Sequence, residues 1–339
     1  MSRKKVNWMQ LQIKQKLAFL SALALLFSYA EMILPRPLPF LRFGFGNIAL
    51  LLSLELPFSQ FLLLAFFKSC VSSLVSGTLF SPFFLISISQ TFASGLLMYF
   101  LAFFNRKSGA RLFSVYGISV SGSVLSAAVQ VYCCVLYLGY GVTGLLGPMI
   151  IFNTLSGILT AFFSTKIGVH SFESLNLSLS ESGTKQEKRN SSFFPQIFAA
   201  IFLLSVTGSV FFIQNTYALV FILLSGFIAQ KICKRKIFIL PHLFMWIFVL
   251  VSSIFEPSGK VLFKIWHFSV TDESLFLAFQ KSIRLSAAAA FSQCAFLLKL
   301  PENSILALTL ECYKKMNESF RNTDGSVFQK LKAVLGKQQ

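Results

Sequence analysis

Five polar side chains stand within or at the ends of long apolar runs and could hold a solute there: Glu31, Asn47, Lys68, Gln90 and Gln130. An ionisable group at membrane depth is costly, and it marks a substrate path, a proton relay or a paired charge. Glu31 sits one turn before Pro35, while Lys68 lies between Phe67 and Ser69 in the middle of an apolar stretch. A carboxylate and an ammonium in one small bundle are expected to pair with each other or to bind a charged solute. The amides of Asn47, Gln90, Gln130 and Asn153 have a competing use, because such groups commonly join helices by hydrogen bonds.

The same residue types, counted along the whole chain, argue against catalysis. Only two aspartates occur, Asp272 and Asp324, so no Asp-rich motif can hold Mg²⁺ on a diphosphate. His170, His242 and His267 are scattered without metal-ligand spacing. No G-x-x-x-x-G-K-[ST] loop is present to bind ATP. Cys70, Cys133, Cys134 and Cys294 fall in apolar stretches, where cysteine behaves as a small hydrophobe. The chain is expected to be neither an enzyme nor a holder of cofactor or metal.

The elements that must position these side chains are membrane spans. The chain is 55% hydrophobic, with thirty basic residues against twelve acidic ones. About 20 apolar residues cross a ~30 Å hydrocarbon core as a helix. Ten runs are assigned on that basis, near 17–34, 45–57, 58–80, 82–104, 112–138, 143–165, 195–213, 215–231, 237–255 and 273–298. The second is short, and is read as re-entrant or tilted. Basic groups at 3–16, 106–111, 185–189, 231–236 and 314–337 all fall on one side of a ten-helix, N-in arrangement, as the positive-inside bias requires. The net charge of +18 thus edges hydrophobic spans, which selects anionic lipid headgroups over nucleic acid as its counter-charge. The first run ends at Leu34-Pro35 without a small-x-small cleavage site, so no cleavable signal peptide is expected.

A polar stretch at 168–194 has the composition of a flexible connector and divides six spans from four. Before it, the Pro-dense 34–41 segment and the Gly44 and Gly46 turn predict irregular backbone near the candidate pocket, a possible lid. After it, Thr271 reads as the N-cap of a helix that carries Gln280, Lys281, Arg284 and the small-residue run Ala287 to Ala290. Residues 305–320 form an amphipathic stripe suited to lying on lipid or docking a soluble partner.

The first 165 residues resemble the bacterial membrane family called heptaprenyl diphosphate synthase component I, or the Gx transporter family. The resemblance lies in Tyr29-Ala-Glu-Met-Ile-Leu-Pro35, in Leu41-Arg-Phe-Gly-Phe-Gly-Asn-Ile48, in the stretch from Lys68 to Pro82, and in Phe113 to Gly122 followed by Gln130. Lys68 stands where arginine is usual, and Leu125-Ser-Ala127 lies where a His-Asn pair is expected. That family is similar in size and helix count to the substrate-capturing subunits of energy-coupling factor transporters. Residues 195–320 resemble the transmembrane coupling subunit of those transporters, through the Phe268 to Leu275 segment, the internal Arg284 and the Leu-Lys-Leu-Pro301 turn. Ser319-Phe-Arg-Asn322 is the nearest equivalent of the short Ala-Arg-Gly motifs with which relatives dock two ATPases.

Together these features predict an all-α polytopic membrane protein of about ten helices, six plus four, N-in and C-in, in a bacterial cytoplasmic membrane. Its expected units are a substrate-binding-like domain at 1–167, the linker at 168–194, a coupling-like domain at 195–322 and a basic tail at 323–339. The resemblance implies a transporter component that captures a small vitamin-like or isoprenoid-related solute and works with separate ATPases. Glu31, Asn47, Lys68, Gln90 and Gln130 are then the pocket, and Arg284 and Arg321 the coupling residues. The alternative is a non-catalytic accessory subunit, for polyprenyl diphosphate or quinone synthesis or for a membrane redox complex.

Overall fold

The computed structural model describes residues 17–30, 44–109, 112–167, 194–233, 237, 239–265, 268–294, 305–325 and 330. Among them the architecture is helical apart from one β-hairpin, in line with the all-α expectation. Glu31, the Pro-dense segment and the connector as far as 193 lie outside the described residues.

Helix α1, Leu17–Ala30, is apolar on every side and buried along almost its whole length. The chain next enters the bundle at Gly44, whose φ of 70° is left-handed and favours glycine. A 3₁₀ turn at Phe45–Asn47 leads into α2, Ile48–Leu52. The run at 45–57 is therefore not a full span. A five-residue helix rises only about 8 Å, and the turns after it, with Pro57 beyond, stop it from continuing.

Among the described residues, three helices are long and apolar enough to cross a membrane: α4 (Pro82–Ser108), α5 (Val115–Leu138) and the stretch Tyr140–Thr165, most of which is α6 (Leu146–Ile167). Before them, α3 (Phe58–Ser76) ends in a Schellman cap, with Gly77 at φ 71° and the Thr78 N–H bonded to the Ser73 carbonyl at 2.8 Å. Helix α4 opens with Pro82 in its first turn, where the missing N–H costs nothing. Helices α5 and α6 pack closely because Gly157 has no side chain, and a Cβ there would lie 2.9 Å from Val120 Cα. The Ser119 hydroxyl crosses the same interface to the Gly157 carbonyl at 2.8 Å.

In the second half, α7 (Phe194–Ser209), α8 (Thr216–Ile232) and α9 (Ile239–Ile254) surround α10 (Asp272–Ser292). The alanine run works as expected: Ala287, Ala288 and Ala290 are buried, and Gly226 of α8 approaches Ala290. Gln230 donates to the Ala290 carbonyl at 3.0 Å, and Trp246 Nε1 to the Ser286 hydroxyl at 2.7 Å. Between α9 and α10 the strands β1 (Val261–Ile265) and β2 (Phe268–Thr271) pair antiparallel, an element absent from the sequence reading. Thr271 occupies the N-cap position, but its hydroxyl bonds Ser274 and the Ser258 N–H instead of a backbone N–H of the helix.

The two halves are packed together. One apolar cluster joins Ala127, Val131 and Val142 to Val249, Ala278 and Leu285. Lys281 donates to the Leu138 carbonyl at 2.6 Å, and Glu256 accepts from the Gly141 N–H at 3.1 Å. The Phe80 N–H donates to Ser292 Oγ at 2.9 Å. In a ten-span arrangement residue 292 would approach the membrane face opposite the 77–82 turn, some 25 Å or more away. That placement and this hydrogen bond exclude each other, so the ten-span scheme does not describe α10.

The amphipathic helix is α11, Ile305–Asn322, and its apolar stripe is partly covered. Met316 and Phe320 join the cluster of Phe19, Leu23, Leu26 and Phe27 on α1. The Tyr29 and Phe320 rings meet edge to face, 6.3 Å apart. Ile305 packs at the other end of α1, against the cluster of Leu17 and Leu20. Part of the stripe that the sequence offered to lipid or to a soluble partner thus serves an intramolecular contact, while Leu306, Leu308 and Leu310 stay half-buried.

Candidate functional site

The Lys68 ammonium donates to Asn47 Oδ1 at 2.5 Å. Helix α3 brings the lysine and the 3₁₀ turn brings the asparagine, 21 residues apart in sequence. Lys68 is buried at 9% exposure, deep enough that its charge needs polar partners. The turn passes α1 without clearance, since a Cβ on Gly46 would stand 2.7 Å from Ser28 Oγ and 3.5 Å from Lys68 Cε. Ser28 in turn donates to the Ala24 carbonyl at 2.8 Å. On the far side Gly44 faces α6, where Ser156 Oγ would lie 3.2 Å from an added Cβ. The 3₁₀ turn thus meets α3 at one buried ammonium, with α1 and α6 packed against its two glycines, an arrangement suited to holding an anionic or strongly polar group.

Among the described residues, the remaining candidates are not gathered at this point. Glu31 lies outside the described residues. Gln90 on α4 and Gln130 on α5 are half-buried, and among the described residues neither bonds the Lys68–Asn47 pair. Gln90 Nε2 is buried without a hydrogen-bond partner among the described residues. Asn153 donates to the Met149 carbonyl of its own helix at 2.9 Å, so it is not interhelical glue.

The two arginines assigned to coupling stand apart. Arg284 Nη2 donates to the Ile213 carbonyl at 2.8 Å, beside Gln280, which donates to the Gln214 carbonyl. Both acceptors lie in the loop between α7 and α8, so Arg284 and Gln280 tie α10 to that loop. Arg321 is exposed in the last turn of α11.

Sequence reasoning missed Ser28, Ser156 and Glu256, single polar residues with no pattern around them. Gly46 carried a signal, as the second glycine of Gly-Phe-Gly. Among the described residues no group of three His, Cys, Asp or Glu side chains is placed to hold a metal ion.

Long apolar helices, a buried ammonium and a broken helix beside it define the class: this is a helical membrane protein. Its N-terminal half, residues 20–167, matches the family described as heptaprenyl diphosphate synthase component I, which agrees with the resemblance in its motifs. Residues 196–297 match a second family, described as domain of unknown function DUF8519, a description that carries no activity. No curated protein and no solved structure matches the chain.

Proposed function

We propose that the chain is a membrane transport component of the energy-coupling factor type. In this reading its N-terminal unit captures a small vitamin-like or isoprenoid-related solute, and its second unit couples that capture to separate ATPase subunits. The observation that carries the reading is the buried Lys68–Asn47 pair at a break in helical structure. A charge at this depth is expensive to maintain for packing alone. Asn47 and Lys68 form the centre of the site, while Gln90, whose buried Nε2 has no partner among the described residues, and Gln130 are its more distant candidates. Helix α11 supplies a mechanical link: its apolar face packs on α1, while Lys314, Lys315 and Arg321 stay exposed on the side where a partner would act.

The second reading is an accessory subunit without transport. It draws on the printed description of the N-terminal family, which names one component of a synthase. One experiment separates the two: purification of tagged full-length protein in mild detergent, with mass spectrometry of retained small molecules and co-purifying proteins. The transport reading expects a solute whose retention falls at least tenfold in Lys68→Met, together with ATPases. A co-purifying prenyltransferase without a solute would replace it with the accessory reading.

A further inference from the structure

The last turn of α4 and the turn after α2 enclose an open groove of about 520 Å³, separate from the Lys68 site. Its cationic wall is Arg106 and Lys107, and its apolar wall is Leu56, Pro57, Tyr99 and Phe103. The Arg106 guanidinium sits over the Tyr99 ring, 5.4 Å from its centroid. That ring is itself held in place. Its hydroxyl donates to the Leu56 carbonyl at 3.1 Å, and its face packs near Phe61 and Phe58 at 5.0 and 5.3 Å. The cation is therefore positioned by stacking on an aromatic ring. Neither Arg106 nor Lys107 has an ion pair among the described residues, where the pair formed is Lys315 with Glu311.

Location and charge narrow the occupant. Helix α4 carries no charge until these two cations in its last turn, so the groove lies where a candidate spanning helix meets the headgroup layer. Phe100, Phe103 and Phe104 leave about half of each side chain exposed just before it, at 50%, 45% and 54%. Glu55 is the one carboxylate in the lining, so two cations outweigh one anion. A site with one net positive charge, an aromatic floor and an adjoining apolar strip fits an anionic head on an apolar chain.

We propose that this groove binds the phosphate head of an amphiphile, with its chain lying along Phe100, Phe103 and Phe104. A membrane phospholipid and an isoprenyl phosphate share this chemistry. The proposal stands independently of what the Lys68 bundle holds.

The test is native mass spectrometry of the full-length protein in detergent, titrated separately with phosphatidylglycerol, farnesyl diphosphate and inorganic phosphate. Each basic residue near an anionic head is worth about fivefold in affinity, so the double variant R106Q/K107Q should lose roughly 25-fold. E55Q should bind more tightly than the parent. K260Q/K264Q, which removes the same charge from exposed positions at and just before β1, should leave binding unchanged. Loss of phosphatidylglycerol adducts in R106Q/K107Q identifies a membrane lipid, and selective loss of farnesyl diphosphate adducts identifies an isoprenoid; either supports the proposal. Equal binding by parent and R106Q/K107Q overturns it, as does inorganic phosphate binding as tightly as either amphiphile. Should R106Q/K107Q fail to fold, the tightening by E55Q is the deciding measurement, and no change in E55Q overturns the proposal.

Discussion

The backbone N–H of Phe80 donates to the hydroxyl of Ser292 across 2.9 Å, fastening the turn between α3 and α4 to the C-terminal end of α10. These residues are 212 apart in sequence, and their contact fixes how the two halves meet. Ser292 is fully buried, so no solvent replaces it. Ser292→Ala leaves the Phe80 N–H unsatisfied and should cost about 1–3 kcal/mol. Denaturant unfolding in detergent reads the loss, and hydrogen exchange should rise at 77–81 before it rises in α5.

The Lys68–Asn47 bond should show strong coupling. A double-mutant cycle of Lys68→Met and Asn47→Leu is expected to give an interaction energy of about 1.5–3 kcal/mol, the range for hydrogen bonds to charged groups. Independent effects, with an interaction energy near zero, would mean that the pair does not act as a unit.

Gly141 is the tightest point of the joint between the halves. An alanine there would bring Cβ to 2.2 Å from the Ser252 carbonyl, a backbone atom that cannot turn aside. Gly141→Ala should therefore displace α9 from the 3₁₀ turn at Tyr140–Leu145, with a cost of about 1–3 kcal/mol or more. Exchange should rise together at 139–145 and 249–256, while α3 keeps its protection.

Phe320 anchors the far end of α11 on α1 and is 2% exposed. Phe320→Ala should cost about 3–5 kcal/mol, the range for removing a buried core phenylalanine. Limited proteolysis within 305–322 should accelerate in that variant and remain slow in the parent.

Tyr313 gives α11 a pH dependence. Burial, and then the neighbouring Tyr29, push its phenol up from 10.0 to about 12. A raised acidic pKa means that the unfolded or undocked state ionises first. The stabilising contribution is therefore complete below about pH 10 and declines between pH 10 and about 12. Phenolate absorbance should show late-titrating amplitude that falls by one tyrosine in Tyr313→Phe.

The sequence by itself determined the class of this protein and most of its helices. Apolar runs of spanning length, basic residues at their ends and the near absence of aspartate are properties of composition that no packing arrangement can reverse. It also located Lys68 and Asn47, because an ammonium or an amide in such a run stands out against its neighbours, and it marked Gly46 as a place of close approach. Tertiary structure decided the rest. Hydropathy cannot tell a spanning helix from an apolar helix buried in protein, so the 45–57 run became a turn and a short helix, and α10 became the core of a helical cluster. Periodicity shows that α11 has an apolar face, but its occupant, α1, depends on a contact nearly 300 residues away in sequence. The acceptor of Arg284, the Ile213 carbonyl, lies 71 residues away in sequence, and no local pattern announces it. In each case the deciding quantity is which distant surface covers a side chain, and local sequence carries no record of it.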